Sequence, residues 1–308
     1  MKTVYVLGSI NMDLVMQASR MPEDGETLVG EKFLMVPGGK GANQAVASAR
    51  QNVSTVMLGA VGTDAFGERL LSSLRASGVD CIHVEEIADC HSGIASIWVV
   101  DGENRIIIDA GANGALSERD ILDVIENKTH TDDILVAQLE IPLQTVMKAF
   151  EAAKKKGLTT ILNPAPAQKL DEHLYPLVDI MILNETEAAL LTGIFPKGSA
   201  SSEEAAERIT RKGVGEVVLT LGKKGVGYFD KNTSISLKAH EVRTVDTTAA
   251  GDTFIGVFSA AMTYETNRKK ALIRANAAAA LSTQKLGAQG SIPFAEEVTR
   301  FLEKDEGR

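Results

Sequence analysis

Cysteine is nearly absent: Cys81 and Cys90 are the only two in 308 residues, and they form no CxxC pair. The five histidines (His83, His91, His130, His173, His240) are scattered, with no HxH or HExxH spacing. These counts argue against a disulfide framework and a zinc site, and they fit a reducing cytosol. No apolar stretch approaches the length of a membrane span. The run Thr3-Val4-Tyr5-Val6-Leu7 is too short for a signal h-region and lacks a cleavage site, so a soluble, cytoplasmic protein is expected. No block of Lys or Arg exceeds Lys154-Lys155-Lys156, and the net charge is −9. Sequence-independent nucleic-acid binding rests on concentrated positive charge and is not expected. Two nucleotide fingerprints are missing. The segment after the first strand candidate reads Gly8-Ser9-Ile10-Asn11-Met12-Asp13 rather than GxGxxG, and GxxxxGK[ST] occurs nowhere.

What is present is ordinary globular composition, 44% apolar and 24% charged. Short apolar, β-rich runs alternate with longer helical patterns. The strand candidates are Thr3–Gly8, Thr55–Ala60, Asp133–Leu139, Leu158–Asn163, Asp179–Asn184 and Glu216–Leu221. The helix candidates between them are Gly41–Gln51, Ala65–Ala76, Glu118–Glu126, Leu143–Lys156, Thr186–Leu191 and Ser202–Lys212. Three more helices follow, Thr253–Met262, Arg268–Lys285 and Ala295–Glu303. The alternation predicts βαβ units: an α/β, doubly wound, mostly parallel sheet flanked by helices. Two segments break the rhythm, Asp13–Val36 and Ser92–Ala110, with strand-like Glu26–Val29, Ser96–Val100 and Arg105–Ile108. They predict a small antiparallel sheet made of two insertions, either a lid over a site or an edge extension of the main sheet. No repeat, low-complexity tract or linker divides the chain, so residues 1–308 are expected to form one domain plus this lid.

In such a sheet, ligands sit beyond the carboxyl ends of the strands. The polar residues there are Asn11 and Asp13, Glu140, Asn163, Asn184 with Glu187, and Thr220 with Gly222. Several carboxylates and amides converging from different segments suit a polyhydroxylated ligand. In Gly38-Gly39-Lys40-Gly41-Ala42-Asn43-Gln44, the glycines let a ligand approach the backbone before a helix begins. Asn184-Glu185-Thr186-Glu187 reads as a helix capping box, or as a phosphate and Mg²⁺ contact. Thr220-Leu221-Gly222-Lys223-Lys224-Gly225 reads as a hairpin turn, or as the wall of a triphosphate channel.

The most informative stretch is Val245-Asp246-Thr247-Thr248-Ala249-Ala250-Gly251-Asp252-Thr253-Phe254. Small residues allow successive N–H groups to point into one space where a helix starts, and such a start attracts anions. Asp252 there is either an ordinary N-cap or a base placed beside an anion hole. Phosphoryl transfer from ATP to an alcohol needs that second combination.

These blocks together, with Gly111-Ala112-Asn113, Gln138-Leu139-Glu140 and Asn163-Pro164-Ala165-Pro166-Ala167, resemble the PfkB carbohydrate kinase family over nearly the whole chain. The resemblance implies ATP-dependent transfer of the γ-phosphoryl group to the 5-hydroxyl of D-ribose. It implies Asp252 as general base and an anion hole of the Thr248–Gly251 N–H groups, which includes Ala249, Ala250 and Gly251. Ribose would meet Asn11, Asp13, Gly39, Lys40, Asn43, Glu140 and Asp252. ATP would meet Asn184, Thr220, Gly222, Gly225, Gly251 and Asn276, with Mg²⁺ near Glu187. A monovalent cation, K⁺ by family habit, would lie at Asp246, Thr248, Ser282, Lys285, Gly287 and Ser291, partly through backbone carbonyls. The insertions 13–37 and 92–110 would form the lid and a homodimer interface. The sequence departs from many relatives at Ile255, where Asn is common, and at Val257, where a small residue is usual; both are expected to affect local packing. Two alternatives stay open: a kinase of the same family acting on 2-deoxyribose or another sugar, and a non-catalytic sugar or nucleotide sensor.

Overall fold

The computed structural model describes residues 2–101 and 103–306. Gly102, inside the second expected insertion, and residues 1, 307 and 308 of the expected domain lie outside the described residues.

The main sheet contains β1 (Val4–Leu7), β4 (Thr55–Gly62), β5 (Val84–Ile87), β8 (Ile134–Ala137), β9 (Thr159–Leu162), β10 (Ile180–Asn184), β11 (Glu216–Thr220), β12 (Val226–Phe229) and β13 (Ser234–Leu237). Its order is β13-β12-β11-β10-β9-β8-β1-β4-β5. From β11 to β5 all neighbours run parallel; β12 and β13 close one edge as an antiparallel pair. Parallel strands are buried on both faces, which explains the unbroken apolar runs. Val4 and Val6 enter one core with Met57, Ile134 and Phe258, while Tyr5 and Leu7 enter the other with Leu58, Ile125 and Phe150. The first core is covered by α1 (Lys40–Ala49), α2 (Ala65–Ala76), α7 (Ala250–Ala261), α8 (Arg268–Ser282) and α9 (Ala295–Glu306). The second is covered by α3 (Glu118–Lys128), α4 (Leu143–Lys156), α5 (Glu185–Thr192) and α6 (Ser199–Thr210). Among the described residues no helix is long and apolar enough to cross a membrane.

A second sheet has the order β3-β2-β6-β7, from β2 (Asn11–Gln17), β3 (Lys32–Gly38), β6 (Gly93–Val100) and β7 (Glu103–Asp109). Each insertion folds on itself antiparallel, but the two are joined by parallel pairing of β2 with β6, Asn11 opposite Gly93. Glu26–Val29, expected as a strand, is loop, and Lys32–Gly38 is the strand instead. The register explains this: β2 ends at Gln17 opposite Lys32, and before that pair only the Glu31 N–H still meets it, donating to the Gln17 carbonyl at 2.8 Å, so Glu26–Val29 lie past the end of the edge. The Glu26 carboxylate instead accepts from the Glu23 N–H and from Arg20, which fixes a turn. Pro37 is tolerated because β3 is an edge strand.

The carboxyl ends of β1, β8, β9, β10 and β11 open on one edge of the main sheet, next to the start of the second sheet at Asn11. Chemistry-bearing residues are concentrated there.

Candidate active site

Helix α7 begins one residue after Ala249, which holds the left-handed conformation with φ 58°. For a residue with a Cβ this conformation costs on the order of 1–3 kcal/mol. The turn leaves an unusual set of donors. The Thr248 N–H donates to Asp246 Oδ1 (2.9 Å) and the Ala250 N–H to the Thr247 carbonyl (3.2 Å). Among the described residues, no acceptor takes the N–H groups of Ala249, Gly251 or Asp252. The expected anion hole therefore narrows: Thr248 and Ala250 are engaged, and Ala249, Gly251 and Asp252 carry the free donors. Asp252 is not the N-cap, since Ala249 occupies that position without any side-chain cap. The Asp252 side chain is buried and held from α1: Asn43 Nδ2 donates to Oδ2 (3.1 Å) and Gln44 Nε2 to Oδ1 (3.0 Å).

Several residues expected to hold a sugar stand near Asp252. Gly39 precedes α1 at φ 91°, and a Cβ there would meet the Asn11 nitrogen at 2.7 Å. Glycine thus lets α1 start directly against the turn between β1 and β2. Glu140 is fixed by the Ser9 hydroxyl (2.5 Å) and the Lys40 N–H (3.2 Å). Asn113 Nδ2 donates to Asn11 Oδ1 (2.7 Å), which leaves the Asn11 amide N–H groups for a ligand. Asp13 is buried, and its carboxyl is raised to about 7, first by desolvation and then by the charges of Glu140 and Asp252. Burial lowers the Lys40 ammonium, but Asp252, Glu140, Glu187 and Asp13 together outweigh it, and its pKa stands above the ordinary lysine value.

Asp252 and Lys40 also line a cavity of about 200 Å³, together with Asn163, Ala165, Ile182, Leu183, Asn184, Glu187, Thr220, Ala249, Gly251 and Ile255. Asn184 and Glu187 form the capping box of α5: Asn184 Oδ1 accepts from the Glu187 N–H and Glu187 Oε2 from the Asn184 N–H, both at 2.9 Å. The capping-box reading is therefore met, and the same two residues also line the cavity. Glu187 is raised above the ordinary glutamate value, chiefly by burial.

Not every expected nucleotide residue is brought to the cavity wall. Gly225 is a hairpin corner: its N–H donates to Gly222, its carbonyl accepts from Leu221, and a Cβ would meet the Leu237 carbonyl at 2.0 Å. Asn276 sits on α8 and donates to the Lys238 carbonyl (2.8 Å). Gly222 is exposed outside the wall. Ile255, expected only to affect packing, forms part of the wall, as does Asn163. Ser9, Gln44 and Asn113 stand inside the quoted motifs but had no assigned role. Their signal was an amide or hydroxyl within an apolar helix or turn, where a polar group needs a partner.

The loops around Asp246 are stapled to the end of α8. Asp246 Oδ2 accepts from the Gly287 N–H (2.9 Å), Oδ1 from the Thr248 hydroxyl (2.7 Å), and the Val245 and Asp246 N–H groups both meet the Thr283 carbonyl. These bonds hold Asp246 below the ordinary aspartate value despite its partial burial. Ser282 and Ser291 are buried, with hydroxyls donating to Ala279 and Ala288. The Lys285 ammonium is turned away, paired with Glu297 at 3.0 Å, so only its carbonyl remains for a cation. Among the described residues no cluster of three or more His, Cys, Asp or Glu forms a metal cage.

A model of the pfkB family of carbohydrate kinases matches residues 1–295. The chain is 42% identical over 303 residues to the ribokinase of Haemophilus influenzae, covering 98% of this chain and 99% of that protein. It is 36% identical over 305 residues to the deoxyribokinase of Salmonella typhi, covering 98% and 99%. Its fold is similar to the structure of Arabidopsis thaliana ribokinase complexed with ribose and ATP, with TM-score 0.91, 32% identity and coverage of 98% of each chain.

Proposed function

Because this chain belongs to the pfkB family of carbohydrate kinases, we propose that it transfers the γ-phosphoryl group of ATP to the 5-hydroxyl of D-ribose, giving D-ribose 5-phosphate and ADP. One observation carries the reading. The buried Asp252 carboxylate is bonded to Asn43, stands close enough to Asp13 to raise its pKa, and lines a cavity with Lys40, Asn184, Glu187 and Thr220, while free N–H groups stand at the start of its helix. Ribose is bound by Asn11, Asp13, Gly39, Lys40, Asn43 and Glu140. ATP lies along Asn184, Thr220 and Gly251.

Asp252 takes the proton from O5 as the O5–Pγ bond forms and the bond from Pγ to the bridging oxygen of ADP breaks. In a loose transition state the proton leaves late, so a positioned carboxylate suffices. The Ala249, Gly251 and Asp252 N–H groups meet negative charge on the transferring oxygens, and the Lys40 ammonium adds to that field. Glu187 and Asn184, which line the cavity, would hold the water shell of a Mg²⁺ bound with ATP, and that ion would supply neutralisation of phosphate charge. The oxygen-only donors of Asp246, Thr248, Ser282, Lys285, Gly287 and Ser291 suit a hard monovalent cation such as K⁺. The second sheet acts as the lid and, through its exposed apolar side chains, as the contact between two copies. The free thiols Cys81 and Cys90 agree with a cytoplasmic enzyme.

The similarity to a deoxyribokinase keeps 2-deoxyribose as the competing acceptor. A coupled assay with ribose, 2-deoxyribose, fructose and nucleosides, in K⁺ and in Na⁺ buffer, separates them. The expected outcome is the highest kcat/KM with ribose and a higher rate in K⁺. Preference for 2-deoxyribose would overturn the acceptor, and turnover of no sugar would overturn the kinase reading.

A further inference from the structure

We infer that Gln44 is the positioning residue for the base: its side-chain amide, fixed from behind by Gln138, holds Asp252 Oδ1 and orients the carboxylate toward the sugar. This rests on the reading of Asp252 as general base. Gln44 and Gln138 are both fully buried, in a fold where a buried amide needs partners. Gln44 Nε2 donates to Asp252 Oδ1 (3.0 Å) and to Asn163 Oδ1 (3.4 Å), and Gln44 Oε1 accepts from Gln138 Nε2 (2.6 Å). Asn163 is itself fixed, donating to the Ile182 carbonyl at 3.1 Å.

The polarity of this chain follows from chemistry. An ionised carboxylate only accepts, so Gln44 must present its NH₂ to Asp252. Its oxygen then faces Gln138, which must present its NH₂ in turn. With Asn43 on Oδ2, adjacent residues of α1 grip both oxygens of one carboxylate on α7. Neither residue lines the cavity; Asn43 keeps slight exposure, whereas Gln44 has none and its amide is spent on Asp252, Asn163 and Gln138. The grip requires α1 and α7 to cross closely, and Gly256 permits it: a Cβ there would meet the Gln44 carbonyl at 2.3 Å and Ala47 Cβ at 2.5 Å.

The test compares steady-state kinetics and sugar affinity of Gln44→Leu and Gln44→Glu with the parent enzyme. Gln44→Leu is expected to lower kcat about 10- to 100-fold, the range for a misplaced reacting group, with sugar affinity within about threefold. Gln44→Glu gives a signature that a packing role would not. Protonated, its acid group donates to Asp252 as the amide does; ionised, it faces Asp252 with like charge. Its kcat relative to the parent is therefore expected to fall from about pH 5.5 to about pH 8.5. The surrounding titratable groups, Asp13, Lys40, Glu140 and Glu187, are present in both enzymes, so the ratio isolates the charge added at position 44 together with its coupling to them. In an Asp252→Asn background, Gln44→Leu should add no further loss of kcat.

A kcat for Gln44→Leu within twofold of the parent, a loss confined to sugar KM, or a pH-independent ratio for Gln44→Glu would each overturn the inference. If Gln44→Leu does not fold, the near-isosteric Gln44→Glu decides alone. If Asp252→Asn keeps its kcat, the base reading itself fails. If Asp252→Asn loses kcat and the Gln44 variants do not, only this inference fails.

Discussion

Burial beside Glu140 and Asp252 holds the Asp13 carboxyl near pH 7 in the sugar-free protein, far above an ordinary aspartate. The sign follows: folded protein binds this proton more tightly than unfolded chain does, so Asp13 favours folding at low pH, and that contribution is lost as pH rises toward about 7. Sugar hydroxyls donating to the carboxylate would reverse the preference and expel the proton. Calorimetry of ribose binding at about pH 7, in buffers of different ionisation enthalpy, should show a fraction of a proton released, and affinity should weaken below about pH 7. A binding enthalpy independent of buffer would contradict this account of Asp13. The residues that carry charge were legible in the sequence, because Asp13, Glu140 and Asp252 are carboxylates at strand and helix ends. The neutral amides Gln44, Asn113 and Gln138 were not, because an amide's role depends on which groups face it across more than ninety residues of chain.

At the scale of elements, α5 tests whether one motif serves two ends. Glu187→Ala removes the reciprocal half of the capping box and a carboxylate from the cavity wall. It should cost about 0.5–2 kcal/mol of stability, read as a lower Tm, and should raise the Mg²⁺ concentration needed for half-maximal rate. A lower Tm with an unchanged Mg²⁺ requirement would leave only the cap. The capping box was legible because it is local in sequence. The start of α7 was misread by up to three residues, because a left-handed alanine, a conformation disfavoured for any residue with a Cβ, begins that helix. The strand at Lys32–Gly38 was displaced from the expected one because strand limits depend on what the partner offers.

For the whole molecule, alternation of apolar strands and amphipathic helices was enough to predict a parallel sheet with helices on both faces. The parallel joint between β2 and β6 was hidden, since pairing between distant insertions leaves no periodic trace. That small sheet leaves large apolar side chains open: Phe33 at 51%, Ile106 at 53% and Ile107 at 74% exposure. Alternation puts Ile106 and Ile107 on opposite faces, so the double substitution Ile106→Glu and Ile107→Glu charges both. Sedimentation should give a dimer for the parent and a monomer for the variant; a monomeric parent would contradict the lid as an interface. The account as a whole depends on one carboxylate standing where sugar, phosphates and free main-chain donors meet. Its most direct measurement is steady-state kinetics of Asp252→Asn with ribose and ATP. The expected result is a kcat lower by about 10²-fold or more with ribose KM little changed. A variant that keeps most of its kcat would contradict the account.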